Sequence, residues 1–470
     1  MKAKLERPRR GFFWASLGLG VSLTLLGVFP TETGSSAIAL TAPQRATSGA
    51  ALDAPHQYTG PGACSSTTCH GSIAPMTINR VKQNEYSVWI VRDKHSKAYA
   101  ALMGTIGERM GAILGIGRSE AAPKCLACHA LDVPETERAR TFDLTEGVSC
   151  ENCHGPAAAW LGPHTERDWK HEDSVAKLGM YDTRDIIKRT ERCLTCHLGN
   201  EKKYVDHTMI AAGHPDLYFE LDSFSAQMPR HWKDSNGEPD QPDGSDPWFD
   251  VREWATGQAV QLKQSLVLLA ERTRGKAWPE YSEFECYACH HSIVPAEGSW
   301  EQARGYANRR PGDPPWNVAR YVVFREIVGQ VDEAGKQNLD AELSRVNKLM
   351  SELNPNREEV ATAATNSARL TGEIARRLIA MQYNAALTLR LLQRISSDSG
   401  NISAQGEHCA AQAAMALQSL YIAYERNDKF QDSQQLRVAI GGLFEQLQVP
   451  SSYDPNRFSR QMKQVNAMLR

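Results

Sequence analysis

Residues 191–221, ERCLTCHLGNEKKYVDHTMIAAGHPDLYFEL, decide how the rest of the chain is read. Cys193, Cys196 and His197 form a Cys-x-x-Cys-His unit. At that spacing two thiols capture the vinyl groups of one haem, and the adjoining imidazole takes one axial position on its iron. His207 and His214 follow at an interval suited to one face of a helix, and each can offer an imidazole to the open side of an iron.

The unit recurs as Cys125-Leu-Ala-Cys128-His129, Cys150-Glu-Asn-Cys153-His154 and Cys286-Tyr-Ala-Cys289-His290. A widened version, Cys64-Ser-Ser-Thr-Thr-Cys69-His70, must bulge out its four intervening residues to keep both thioethers within reach. Ten of the 11 cysteines are thus paired, with His directly after the second, and only Cys409 is left over. Two Cys-x-x-Cys pairs can make a tetrahedral zinc site, and cysteine pairs can make a disulfide framework. Neither needs a histidine after every second cysteine, so the reading is five covalent haem c groups.

A chain of 470 residues is long for one domain, and 41% apolar with 23% charged residues is ordinary for a soluble protein. No basic excess points to nucleic acid. Lys2, Lys4, Arg7, Arg9 and Arg10 precede an apolar run at 11–29, and Ala37-Ile38-Ala39 offers a small-residue cleavage site. Residues 1–39 are therefore read as an export signal. The competing reading is a membrane anchor, because the run is just long enough to cross a bilayer, although its glycines weaken that. Haem is joined to such motifs outside the bacterial cytoplasmic membrane, so a periplasmic or otherwise exported location agrees with the motif count. The leader holds five of the 53 Lys/Arg and two of the 55 Asp/Glu, leaving the remainder at net −5 before the haem propionates are counted. That balance favours a redox partner protein with a basic docking surface.

Residues 40–58, rich in Ala, Pro, Thr and Ser, read as a linker. Residues 59–305 carry the haem units between short Gly- and Pro-punctuated segments, with a helix expected over 79–103 that buries Val81, Tyr86, Trp89, Ile90 and Leu102. An amphipathic helix is expected over 253–274. At 230–250 lies a polar loop with Asp234, Asn236, Glu238 and Asp240 at alternate positions; it lacks a full calcium-loop pattern and reads as solvated. After a Pro/Gly boundary at 306–316 the chain turns to helices, expected over 317–331, 339–353, 358–396, 405–426, 433–447 and 457–469. The long third one starts at Asn356 as N-cap with Glu359 behind it, and Ile374, Leu378, Met381, Ala385, Leu392 and Ile395 repeat at bundle spacing. Met381, Met415, Met462, Met468 and Cys409 read as core. The expected fold is mainly α, a loop-rich multihaem cytochrome c domain followed by a helical bundle over 316–470.

Five of the 14 histidines follow cysteine pairs, leaving nine: His56, His95, His164, His171, His207, His214, His231, His291 and His408. Two axial histidines on every iron need only five of these. The ranked choices are His95, His164, His207, His214 and His291, with His231 in reserve; His171 lies in a polar run and reads as surface. Their pairing with particular haems stays open at this level.

WIVRDKHSKAYAAL around His95, GVSCENCHGP with His164 beyond it, CLTCH followed by DHTMIAAGHPDLYFEL and MPRHW, and ECYACHHS together resemble the multihaem cytochrome c family of the cytochrome c-554 type, over roughly residues 60–300. The resemblance implies His95 and His164 as distal ligands and supports His207 and His214. This chain differs from that family's four-haem reference members in its five sites, its widened first motif and its long helical C-terminal region. Three functions compete: an exported electron carrier with closed irons, a multihaem oxidoreductase acting on a small nitrogen or sulfur compound at one open iron, and a C-terminal bundle that docks a partner or a second copy.

Overall fold

The computed structural model describes residues 56–76, 81–232, 246–286, 289–290 and 313–469. The export or anchor segment, most of the 40–58 linker, the carboxylates at 234–240, the boundary at 306–312 and His291 lie outside the described residues. Among those described, helices dominate and there is no strand, only isolated bridges at Tyr58–Arg138 and Phe284–Trp316. The fold is mainly α, with a helical C-terminal region.

The helices that position the site are α1 (Pro123–His129), α2 (Cys150–His154), α3 (Ile186–His197), α4 (His207–Ala211), α5 (Leu221–Gln227) and α6 (Phe249–Arg272). The C-terminal region adds α7 (Glu333–Met350), α8 (Arg357–Ala380), α9 (Ala385–Ser397), α10 (Glu407–Asn427), α11 (Ser433–Glu445) and α12 (Pro455–Met468). Their starts follow capping chemistry. Asn356 accepts from Glu358 N and Glu359 N at the head of α8, and Asp454 accepts from Asn456 N and Arg457 N at the head of α12.

Two expected helices break at a side-chain cap, and a third, over 317–331, divides without one into Ala319–Val322 and Phe324–Val331. The segment over 79–103 divides into Glu85–Arg92, a 3-10 turn at Lys94–Lys97 and Ala98–Leu102, because Asp93 turns extended and its carboxylate caps His95 N. Trp89 and Leu102 are buried as expected, but Val81 is exposed. The run over 358–396 is α8 and α9, not one helix. Met381 is extended, and Asn384 accepts from Leu387 N to start α9. Local polar capping overrides the apolar repeat that runs through both.

Helix α6 is not amphipathic. Trp254, Ala255, Ala259, Val260, Leu262, Leu266 and Leu269 are all buried, on every side of the helix, because α8, α3, α5 and α10 surround it. Gly257 lets α5 approach closely: a Cβ there would stand 2.7 Å from Leu221 Cβ. One apolar core runs from Ile186 through α6 to Leu469, so haem-motif helix α3 and the C-terminal helices share an interior. Each fully buried large aliphatic side chain in it contributes about 1.5–3 kcal/mol. Met462 and Cys409 are buried in this core, and Met381 and Met468 pack half-buried at its edge.

Candidate multihaem site

Three motif histidines close short helices. Pro123 opens α1, with its missing N–H at a position that needs none. Ser149 and Asn152 cap α2 reciprocally, Ser149 N donating to Asn152 Oδ1 at 2.7 Å. Asp185 caps α3 by accepting from Lys188 N at 3.1 Å. In a helix, residues i, i+3 and i+4 share a face, so both thiols and the imidazole of each unit point the same way. The widened first unit reaches a comparable result by a turn. Its extra residues fold back so that Cys69 N donates to Ser66 O and His70 N to Cys64 O. Gly71 closes that turn, where a Cβ would fall 1.8 Å from Ser65 O.

Each of the five motif histidines has another histidine ring across from it. His70 faces His164 with ring centroids 6.2 Å apart, His129 faces His214 at 6.4 Å and His154 faces His231 at 6.5 Å. His197 faces His95 at 6.1 Å, and His290 faces His207 at 6.0 Å. Two metal–imidazole bonds of about 2.0–2.1 Å with a ring radius of about 1.1 Å on each side require a separation of about 6.2–6.4 Å. The five spacings, 6.0–6.5 Å, bracket that range closely. The first and fifth pairs have nearly parallel planes, 10° and 24°, and the other three are nearly perpendicular, 83–88°.

The outer nitrogens are tied in a way that leaves the inner ones available. His129 Nδ1 donates to Ala98 O at 2.9 Å, His164 Nδ1 to Trp160 O at 3.1 Å and His214 Nδ1 to Pro215 O at 2.7 Å. His70 Nδ1 pairs with Glu85 and His95 Nδ1 with Asp93, each at 2.9 Å. Such outer partners fix the ring tautomer and direct Nε2 at a metal. The hydrogen bond that His70 donates to Glu85 raises its pKa above the ordinary imidazole value, and the one that His95 donates to Asp93 does the same for His95. Burial pushes His154 down to about 4 and His197 likewise, so both rings are neutral at pH 7 with a lone pair to give.

The units adjoin one another. Cys64 is within hydrogen-bonding contact of Cys150, and Cys128 of Cys196. Cys153 lies close enough to Cys193 and Cys196 for their charges to interact. Lys124, next to Cys125, bridges at 2.7 Å to Asp206, next to His207. These contacts order the units first, third, fourth, second, fifth. Glu151, inside the third unit, locks the first to it: its buried carboxylate accepts from Thr59 N at 2.9 Å and from Gly60 N and Ala157 N at 2.7 Å.

Of the ranked candidates, His95, His164, His207 and His214 each face a motif histidine. His231, held in reserve, takes the fifth place. His207 and His214 are not on one helical face: His207 opens α4, and His214 lies past its end, beyond Gly213 at φ 111°. They face different units. His171 is not a solvated surface group; its side chain is only 11% exposed, between Trp169 and Asp182. Sequence reasoning missed Glu85, Asp93 and Glu151, of which only Asp93 left a local trace, as the residue two before His95 in a turn.

The chemistry of the donor set, five thiol pairs and five facing imidazole pairs, fits haem c. No curated protein and no solved structure matches this chain. No helix among the described residues is long and apolar enough to cross a membrane. Residues 63–155, which hold the first three Cys/His units up to Gly155, match the family model described as cytochrome c554 and c-prime, and that match supports the resemblance to multihaem cytochromes of the c-554 type.

Proposed function

We propose that this is an exported electron-transfer protein that holds five covalent haem c groups, each ligated by a motif histidine and the histidine facing it. The observation that carries the reading is the set of five ring pairs at 6.0–6.5 Å. In it, Cys64/Cys69, Cys125/Cys128, Cys150/Cys153, Cys193/Cys196 and Cys286/Cys289 anchor the porphyrins. His70, His129, His154, His197 and His290 are the proximal ligands, and His164, His214, His231, His95 and His207 in that order the distal ones. Each haem, when bound, supplies a one-electron iron couple whose potential follows axial ligation and burial.

The polypeptide's part is to close both axial positions and to bring the sites edge to edge. Imidazole on both sides of an iron excludes a substrate, which favours a carrier over an oxidoreductase with an open site. The residues around the ligands, Glu85, Asp93, Ala98, Trp160 and Pro215, hold the rings in register. The basic leader and apolar run support export, and the acidic remainder supports a partner with a basic docking surface.

The test is the mass and electron paramagnetic resonance of protein made in a host that matures cytochromes c. The expected result is a mass increased by five haems and ferric signals that are all low-spin. Colourless protein of unmodified mass, or a dominant high-spin signal with rapid binding of nitrite, hydroxylamine or sulfite, overturns the proposal.

A further inference from the structure

A second cluster of charged side chains sits between two of these sites and joins them to the C-terminal bundle. His408, 7% exposed at the first turn of α10, places Nε2 2.6 Å from Asp216 Oδ2 and Nδ1 3.5 Å from Glu285 Oε2. The Tyr218 ring stacks on the imidazole at 4.9 Å, and its hydroxyl donates to Glu407. The donor atoms of Asp216, Cys286 and His408 all lie within 4.8 Å of one another. Asp216 is two residues beyond His214 of the second site, and Cys286 is a porphyrin anchor of the fifth. The cluster therefore borders both.

The fold goes to some length to put it there. Gly406 caps α10 at φ 106°, and a Cβ on it would stand 2.3 Å from the Glu285 carboxyl carbon, so glycine is what lets the start of α10 meet Glu285. The partial positive charge at that helix start adds to His408 in balancing the carboxylates. Arg320, half-buried, adds a further cation near Asp216 and Glu283. The carboxylates outweigh the burial that opposes a charged His408 and raise it to about 10, so it is an imidazolium at neutral pH.

We infer that Asp216, Glu285 and His408 form a charge site through which the C-terminal bundle sets the reduction potential of the fifth haem. The inference rests on the five-haem reading above. Reduction of a ferric haem adds one negative charge to the porphyrin–iron unit. A fixed imidazolium beside Cys286 favours the ferrous state, and a fixed carboxylate there favours the ferric state, in a medium where such pairs are poorly screened. His408 and Glu285 are not iron ligands, so their effect is on the potential and not on the spin state.

The experiment is a potentiometric titration of the complete holoprotein at pH 8, followed by visible absorbance, with the fifth-site wave identified by its displacement in H207M. In H408Q that wave is expected to shift about tenfold toward the ferric form, equivalent to 59 mV for one electron, and in E285Q to shift the opposite way, with both spectra low-spin. Unchanged potentials, or shifts in the same direction in both variants, overturn the inference. Should H408Q fail to mature, E285Q decides alone: no shift, or a shift toward the ferric form, overturns it. A parent protein whose mass is short of one haem, with Cys286 and Cys289 unmodified, overturns the five-haem reading and the inference with it.

Discussion

His231 stands opposite His154, ring centroids 6.5 Å apart at 83°, well outside the segment that matches the family model. In the proposed ligation the third site is closed by a residue from MPRHW, and the five facing pairs among the described residues do not draw on His291. Replacing His231 with Ala is expected to convert one ferric haem from low-spin to high-spin and to create a site for cyanide or imidazole, while H291A stays low-spin. Magnetic resonance of the two variants side by side checks this; a low-spin H231A removes the assignment.

The ring-plane angles make a second prediction. Parallel axial imidazoles give rhombic low-spin ferric signals, and perpendicular ones give signals with a single very large g value. Two parallel and three perpendicular pairs therefore predict two signals of the first kind and three of the second in the oxidised protein. Five signals of one kind contradict the arrangement.

Glu151 accepts from three backbone amides, and its neighbours cannot replace it. E151A leaves those donors buried without partners and is expected to cost on the order of 3 kcal/mol, measured as a lower denaturant midpoint of the holoprotein. E151Q, which keeps one acceptor, is expected to fall between the two.

His408 also predicts a pH dependence of stability. Its folded-state value, about 10, lies above the ordinary imidazole value of 6.5. A group raised in this way contributes its stabilisation in full below 6.5 and loses it as pH rises toward 10. The parent protein is expected to lose stability across that window more steeply than H408Q does. Urea midpoints at pH 6, 8 and 9.5 measure the difference, and parallel profiles would show that the pairing with Asp216 and Glu285 contributes nothing.

Truncation after Trp316 tests the shared core. Val260, Leu266 and Leu269 on α6 are fully buried in the parent, in the core that continues into the C-terminal helices. Without the bundle they face water, at a cost of about 1.5–3 kcal/mol each. The expected outcome is a fragment that does not accumulate in soluble form. A soluble fragment with all five haems would instead make the bundle an independent module.

The motif histidines and their cysteines are legible from spacing alone, because covalent haem attachment is a local chemical event that imposes a local pattern. Which histidine faces which unit is not, because nothing in the sequence near His231 or His207 encodes a partner many helices away. His291 lies outside the described residues, and among those described it is His231 that faces His154. The helical bundle was legible through its apolar repeat and the Asn356 cap. The break at Asn384 was not, since Met381 and Ala385 continue the repeat across it. The burial of α6 on every side was also hidden, because it depends on neighbours drawn from both halves of the chain.

The five pairs also interleave along the chain. His70 meets His164, His95 meets His197, His129 meets His214 and His154 meets His231, so the later-opened pairs start before the earlier ones finish. No cut between residues 95 and 197 leaves a self-sufficient one-haem piece on either side. In the export proposed above, the first three cysteine pairs cross the membrane before the histidines that face their units arrive. On that reading the chain passes through a stage at which several freshly attached cofactors wait half-ligated, until MPRHW supplies His231 and, after it, His290 closes the last pair.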